Sequence, residues 1–335
     1  MSMVETNIYS LWGAKQTAKG SPAAEATKKF LQVAGDLNVN RDDGSENWSD
    51  GSKFGSSTDW INSIGGAGSP GIEAQSDALA YLLWLFHGAE TVTGTTPKVH
   101  KTEPGNSFFW STWWKRVGQT QIQRQKFNDC RIGSLVIEGS TANKAVRVTP
   151  NVLSLDAGEI FSSDPAKAIS SNPVFIYTEG SGTFTIDSVV MRGHSQFSIT
   201  FDEGLTPVYG DDVTVYDFAR GLAKVTLGVT IYADSDGMAQ YNKLVYGEAS
   251  PAAGKKPIKT QPTYGSYSFN LAKASPLTDA FKFNAEAVKW TPFDAVAPAP
   301  DGGPTEISLA GELRLKTGKP LYTCEVTNED AAYTS

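Results

Sequence analysis

Cysteine, histidine and positive charge are all scarce in this chain, and each scarcity removes a class of function. Two cysteines, Cys130 and Cys324, are too few for a disulfide framework. Each stands in a strand-like segment, and both read as buried thiols rather than as a pair. The three histidines, His87, His100 and His194, have no metal-ligand spacing with one another or with the cysteines. Basic residues number 29 against 36 acidic ones, a net charge of −7. That balance weighs against a static nucleic-acid binder but not against transit past nucleic acid. The longest apolar run, Ala78 to Phe86, is too short to span a bilayer. Met1 to Thr17 has neither the apolar core nor the cleavage pattern of a signal peptide. No membrane partner is therefore expected, and folding in a cytoplasm is. Asn47-Trp-Ser49 matches a glycosylation sequon that means nothing without secretion.

Catalytic signatures are missing as well. Gly66-Ala-Gly-Ser-Pro-Gly71 fits G-x-G-x-x-G, but Pro70 interrupts the phosphate-facing backbone and no βαβ pattern surrounds it. Asp234-Ser-Asp-Gly237 begins like a calcium loop and lacks the closing Glu, since position 245 is Val; it reads as a turn capping a helix. Gly193-His-Ser-Gln-Phe197 lacks the last glycine of a nucleophile elbow. The acidic pairs Asp42-Asp43 and Asp211-Asp212 read as solvated loops. The expectation is a protein with no catalytic residue, no metal site and no cofactor.

What the chain has is glycine, 32 of them, and period-two apolar alternation. From Asp129 to Leu155 two strands flank the turn residues Glu138 to Lys144, and the apolar phase slips at Gly133-Ser134 as at a β-bulge. Phe197–Phe201, Val225–Ile231, Tyr267–Leu271, Phe281–Phe283, Glu306–Lys316 and Tyr322–Val326 also read as strands. Two short helices are expected, Ser76 to Gly88 with Ser76 as N-cap, and Met238 to Tyr246. About ten strands and two helices, mostly period-two, predict a mainly β protein, an antiparallel sandwich or barrel.

Aromatic residues collect in three places. Trp48 and Phe54 sit inside the Gly/Ser/Asp-rich stretch Arg41–Thr58, read as a long docking loop. Tyr81, Trp84 and Leu85 lie off the Leu79, Leu82, Leu83, Phe86 stripe of the first helix, so that helix needs a second cover. An insertion of the same chain or a neighbouring subunit would provide it. Phe108 to Trp114 holds Trp110, Trp113 and Trp114, which suit either a sugar-stacking platform or a core and subunit contact, the second being favoured.

The order of several phrases resembles the major tail tube proteins of long-tailed (siphovirus-type) bacteriophages. They are GIEAQSDALAYLLWLF (Gly71 to Phe86), FNDCRIGSLVIEG (Phe127 to Gly139), Phe197-Ser-Ile-Thr-Phe201, Leu205-Thr-Pro-Val-Tyr-Gly210, Gly221 to Tyr232 and GGPTEISLAGELRL before Thr327-Asn-Glu. The resemblance implies a two-sheet antiparallel β-sandwich flanked by a short helix. On that reading residues 1–28 are an N-terminal arm and 29–328 a single domain. Loop insertions would fall at about 41–58, 91–106 and 250–262, with 329–335 a C-terminal tail.

It further implies hexameric rings stacked into a tube in the virion tail, assembled in the host cytoplasm. The partners would be the subunit itself, a tape-measure protein, and tail terminator and tail-tip proteins. Double-stranded DNA would pass without specific binding. Trp48 and Phe54 then become candidate ring-to-ring contacts. Tyr81, Trp84, Leu85, Trp110, Trp113 and Trp114 become candidate subunit-to-subunit contacts. A lumen rich in carboxylates would repel DNA over about 8 Å at physiological salt. Alternatives are the tube subunit of a contractile injection system and a carbohydrate-binding β-sandwich using the three indoles.

Overall fold

The computed structural model describes residues 9–48, 56–105, 108–118, 122–259, 264–275, 277–292 and 305–333, apart from the side chains of 47, 48, 56, 57 and 292. Strands of five residues or more are β1 (Tyr9–Lys15), β2 (Leu37–Trp48), β3 (Ser56–Gly68), β4 (Lys98–Thr102), β5 (Ser111–Val117), β6 (Gln123–Ser140), β7 (Arg147–Ser154) and β8 (His194–Asp202). They continue with β9 (Leu205–Tyr209), β10 (Val215–Arg220), β11 (Lys224–Tyr232), β12 (Gly265–Ala272), β13 (Ala280–Pro292), β14 (Glu306–Leu313) and β15 (Thr323–Asn328). The α-helices are α1 (Ser76–His87) and α2 (Ser235–Tyr246).

Apart from the separate β9–β10 hairpin, the strands form one continuous antiparallel network around a common core. Two long strands carry the chain round its corners by changing partners half-way. β6 pairs with β5 over Gln123–Cys130 and with β8 over Ser134–Ser140, while β7 runs along it across the junction. The register slips between Ile132 and Ser134, where the sequence phase slips. A bulge bends a strand and raises its twist, which lets one strand serve two sheets. β13 does the same, meeting β15 over Ala280–Asn284 and β14 over Val288–Pro292, with β12 opposite.

The main sheet runs β7–β6–β8–β11–β14–β13. Its inner face buries Leu135, Ile137, Phe197, Ile199, Phe201, Leu227, Val229 and Leu309. Each such side chain contributes about 1.5–3 kcal/mol when fully buried. Helix α1 is buried along its whole length, packed on β15, β6 and β4. Its second cover is the chain's own C-terminal segment: Tyr333 lies against Tyr81 and Trp84 at ring-centroid distances of 5.4 and 5.5 Å. Asp330 and Lys28 hold that segment down, with Lys28 Nζ 2.6 Å from Asp330 and 2.9 Å from Asp77.

Several expectations change. The stretch 41–58 is not a loop in its described part: β2 and β3 pair out to Trp48 and Ser56, with one register slip between Asp42 and Asp43. Both faces of this ribbon meet solvent, so no apolar alternation marks it in the sequence. The arm expected over 1–28 contains β1, whose Leu11 and Trp12 are buried, and the stretch 91–106 contains the short hairpin of Thr91–Thr93 with β4. Ser76 is the first residue of α1 rather than its cap; Gln75 is extended, and the Ser76 hydroxyl donates to Asp279 at 2.5 Å. Helix α2 starts at Ser235, three residues before the expected Met238, and the expected capping turn supplies its N-cap, the Asp234 carboxylate accepting from the Gly237 amide at 2.8 Å. Cys130 and Cys324 are free, buried thiols, and burial pushes both upward in pKa.

Candidate assembly surface

Two surfaces stand out once the core is assigned. The first is the β2–β3 ribbon. Its root is fixed by Lys115 on β5, a buried ammonium that donates to the Leu37 carbonyl at 2.9 Å and Asn38 Oδ1 at 2.6 Å and pairs with Asp36 at 3.1 Å. Gly68 lets the strands close there, since a Cβ at that position would meet the Asp36 carbonyl at 2.0 Å. Near the root the ribbon joins β7 through Gly66–Gly68 and touches Val213 and Thr214 through Ile64. Beyond that point its described strand pairing is with itself. From Asn38 to Glu46 all side-chain positions are exposed except half-buried Gly44. Trp60, 45% exposed, lies across from Gly44 and donates through Nε1 to Asn62 Oδ1 at 2.6 Å.

The second surface is the outer face of the main sheet. Cross-strand partners share a face, so the pairing fixes its rows. One row reads Arg147, Glu138, Ser198, Gly228, Ala310, Thr291, and the next Thr149, Val136, Thr200, Thr226, Glu312, Lys289. Flanking rows hold Asn151, Ser134, Asp202 and Lys224, and Ser140, Gln196, Thr230 and Ser308. Hydroxyl groups dominate. The charges come as opposites set directly across strands: Glu138 by Arg147, Asp202 by Lys224, Glu312 by Lys289. These rows are formally neutral on a chain of net charge −7. The hydroxyl stripe was visible in Phe197-Ser-Ile-Thr-Phe201 and Val225-Thr-Leu-Gly-Val-Thr-Ile231. The charge matching needed the register. Trp60 had no sequence signal beyond its residue type.

The aromatic residues singled out in the sequence lie elsewhere. Tyr81, Trp84, Leu85, Trp113 and Trp114 are buried within the single chain, so a neighbouring subunit has almost none of their surface to touch. Trp113 stacks on Phe30 at 5.3 Å in the main core, and Trp114 joins Trp12 in a small cluster on the other face of β5. Adjacent strand residues point to opposite faces, so these two indoles make no common sugar platform. Half-buried Trp110 lies beneath the Arg131 guanidinium at 3.9 Å and against Phe218. The side chain of Trp48 and all of Phe54 lie outside the described residues.

The buried titratable groups serve the core. His87 Nδ1 donates to the Leu83 carbonyl at 2.8 Å, and its Nε2 accepts from the Tyr322 hydroxyl at 2.6 Å; burial lowers its pKa to about 4. His194 lies between Tyr177 and Tyr267, stacked on Phe184 at 4.0 Å, and burial lowers it to about 3. No three His, Cys, Asp or Glu side chains among the described residues converge as metal ligands. None of the described helices is long and apolar enough to cross a membrane.

A comparison with curated proteins gives no match. A family model does match, described as phage tail tube protein, over residues 8–314. That span runs from the start of β1 through β14 and takes in both the ribbon and the whole main sheet. A structural subunit of a phage tail, built on antiparallel sheets and presenting a ribbon and a neutral hydroxyl face, is what these residues make, and the chain belongs to the phage tail tube protein family.

Proposed function

We propose that this subunit closes into hexameric rings that stack as the tube of a siphovirus-type tail, with the outer face of the main sheet lining the bore. The observation that carries this reading is the composition of that face. DNA is retained by surfaces that neutralise its phosphates and release counterions. Protein is retained by large exposed apolar patches. Rows of serine and threonine with cross-strand charges matched in sign offer neither. Such a wall lets double-stranded DNA and a tape-measure protein pass without holding them. It replaces the expectation of an acidic wall: in these rows each carboxylate has a cation across from it, and the one unmatched acid next to them is Glu306, across from Tyr232 at the end of β14.

The β2–β3 ribbon with Trp60 is the ring-to-ring contact in this reading, together with the sequence candidates Trp48 and Phe54, because beyond its root the described strand pairing of the ribbon is between its own two strands. Tail terminator and tail-tip proteins would meet the same ring surfaces at the tube's two ends. Assembly in the host cytoplasm fits two unpaired thiols.

Ser198→Cys tests the bore assignment. In the free subunit, small and bulky polymer-linked maleimides should both label it. In tubes with sixfold end views under the electron microscope, only the small reagent should. Equal labelling of free and assembled protein by the bulky reagent would place the face outside the tube.

A further inference from the structure

Leu222 and Leu315 are 96% and 82% exposed, and both stand at one end of the main sheet. Leu222 lies two residues before β11 and Leu315 two residues after β14, strands that pair with Thr226 across from Glu312. Ala223 and Leu315 line a cleft of about 690 Å³ together with Pro104, Leu313, Pro320 and Leu321. The turn after β14 adds charge. Arg314 pairs with Glu312 at 2.7 Å, while Lys316 and Lys319 share the single carboxylate of Glu286 at 3.1 and 3.4 Å. Glu103, also in the cleft, is offset by Lys101. Three cations against two carboxylates leave this rim positive on an acidic chain. The β2–β3 ribbon departs from the same end. Its Gly66–Gly68 root pairs with Val152–Ser154, just beyond Ser134, which faces Asp202 and, through it, Lys224.

The opposite end has the complementary features. There β14 starts with Glu306, across from Tyr232 and roughly 23 Å from Leu313 along the strand. From Tyr232 the chain runs into Asp234 and Asp236 at the start of α2. Among the described residues none of these three carboxylates has an ion pair, and even with exposed Arg192 close by the rim is negative. Val189 and Val190, 48% and 40% exposed, pair with Thr185 and Ile186 just before β8. The turn between them is tied to α2 by Asp187, which accepts from Gln240 at 3.1 Å and from Lys243. Turn and helix therefore present one fixed surface.

We propose that the leucine cleft is a head-to-tail contact with a second copy of this chain in the next ring. Leu222 and Leu315 of one copy pack on Val189 and Val190 of the other, and the Arg314–Lys319 turn faces its Asp234, Asp236 and Glu306. The inference rests on the tube reading above. Stacked rings form a heterologous contact, in which one end of each copy meets the opposite end of the next. Here the two ends match in kind: apolar groups left in water on each, ringed by cations on one and carboxylates on the other. The cleft is also continuous with the ring-to-ring contact assigned to the ribbon, since both occupy the same end of the sheet.

Cysteine cross-linking of the full-length chain tests it, the native thiols being buried. Leu315→Cys and Val189→Cys are combined in one chain, and oxidised tubes are separated under denaturing, non-reducing conditions. The expected result is a covalent ladder longer than a hexamer, with neither single variant cross-linking alone. A ladder that stops at the hexamer would put the contact within a ring. Cross-linking by a single variant would make it symmetric, and no cross-link in tubes with sixfold end views would remove it. Each of these overturns the proposal and leaves the tube reading intact, whereas absence of any ordered assembly by the parent chain would overturn both. Leu222→Asp gives an independent readout, since almost none of that side chain is covered in the subunit. The concentration needed for assembly should rise at least tenfold while the thermal midpoint of the free subunit stays unchanged. Assembly at the parent concentration would sink the proposal.

Discussion

Gly44 lies directly beneath the indole of Trp60: a β-carbon there would come within 2.5 Å of Trp60 Nε1 and 2.8 Å of Asn62 Oδ1. The indole is held in place by its hydrogen bond to Asn62, which donates in turn to Asp42 at 3.1 Å. Gly44→Val should therefore displace Trp60 without touching the core. Because the ribbon is solvated on both faces, the change in subunit stability should stay within about 0.5 kcal/mol. Tube length distributions by electron microscopy should shift to single rings or short stacks. Full-length tubes from this variant would remove Trp60 from the ring-to-ring contact.

Lys28 ties three parts of the chain together. Its ammonium pairs with Asp77 at the start of α1 and with Asp330 in the C-terminal segment, and Tyr333 bonds both the Asp77 carbonyl and Asp330 at 3.0 Å. Asp77 is nearly sealed, its side chain 4% exposed, whereas Asp330 is 30% exposed. Removing one partner of a buried pair leaves an uncompensated charge, a loss of about 3–5 kcal/mol. The positive end of α1 offsets part of that for Asp77. Lys28→Met should thus cost about 3 kcal/mol in urea unfolding, and Asp330→Asn about 1 kcal/mol, since the amide keeps a hydrogen bond and water reaches it. The reverse order would mean that the C-terminal segment, not the helix start, is what Lys28 secures.

The core strands were legible in the sequence because one face of each is buried and the other wet. Phe197, Ile199 and Phe201 alternate with Ser198 and Thr200, and that alternation is the fold. The bulge at Gly133-Ser134 was legible for the same reason, as a slip in phase. The ribbon was not, because Arg41, Asp42, Asp43 and Ser45 carry no apolar period when both faces meet solvent. Nor was the C-terminal clamp: Lys28 and Asp330 are 302 residues apart, and nothing local to either signals the other. The aromatic cluster was legible as core but not as assembly surface, because residue type does not tell a subunit's own core from a contact with its neighbour. Trp113 and Trp114 are covered by Phe30 and Trp12 of the same chain.

His87 and His194 make the subunit sensitive to mild acid. Both are buried and neutral, with pKa values lowered to about 4 and about 3, against about 6.5 when unfolded. A depressed pKa means that the unfolded chain binds more protons between the two values. The contribution is therefore complete above about pH 6.5 and is lost as pH falls through the window toward 4 for His87 and 3 for His194. Each histidine adds a slope of up to about 1.4 kcal/mol per pH unit there. Nitrogen-detected NMR of the imidazoles at pH 5 should find both still neutral and protonated on Nδ1, as the Leu83 carbonyl dictates for His87. For His194 the same tautomer follows if Tyr177 gives its single proton to the His194 carbonyl, 2.8 Å away. A charged imidazolium at pH 5 in the folded protein would contradict the burial.

The charge balance of the main-sheet face makes the last prediction, because the two signs of error have different consequences for a polyanion. Glu138→Lys places a lysine beside Arg147 and turns a matched pair into two cations. Lys224→Glu does the opposite beside Asp202. These positions lie on the wetted face, so either change should alter subunit stability by only about 0.5 kcal/mol. In assembled tubes the outcomes should diverge. Glu138→Lys adds two units of charge per copy at the wall, so short DNA duplexes should be retained at low salt. They should be released as salt rises, with a log–log slope of about −0.9 per phosphate neutralised. Lys224→Glu should retain no more DNA than the parent, since added repulsion cannot create binding. Retention that is the same for all three tubes at every salt concentration would mean that DNA never meets this face, and the bore would have to be lined by another surface.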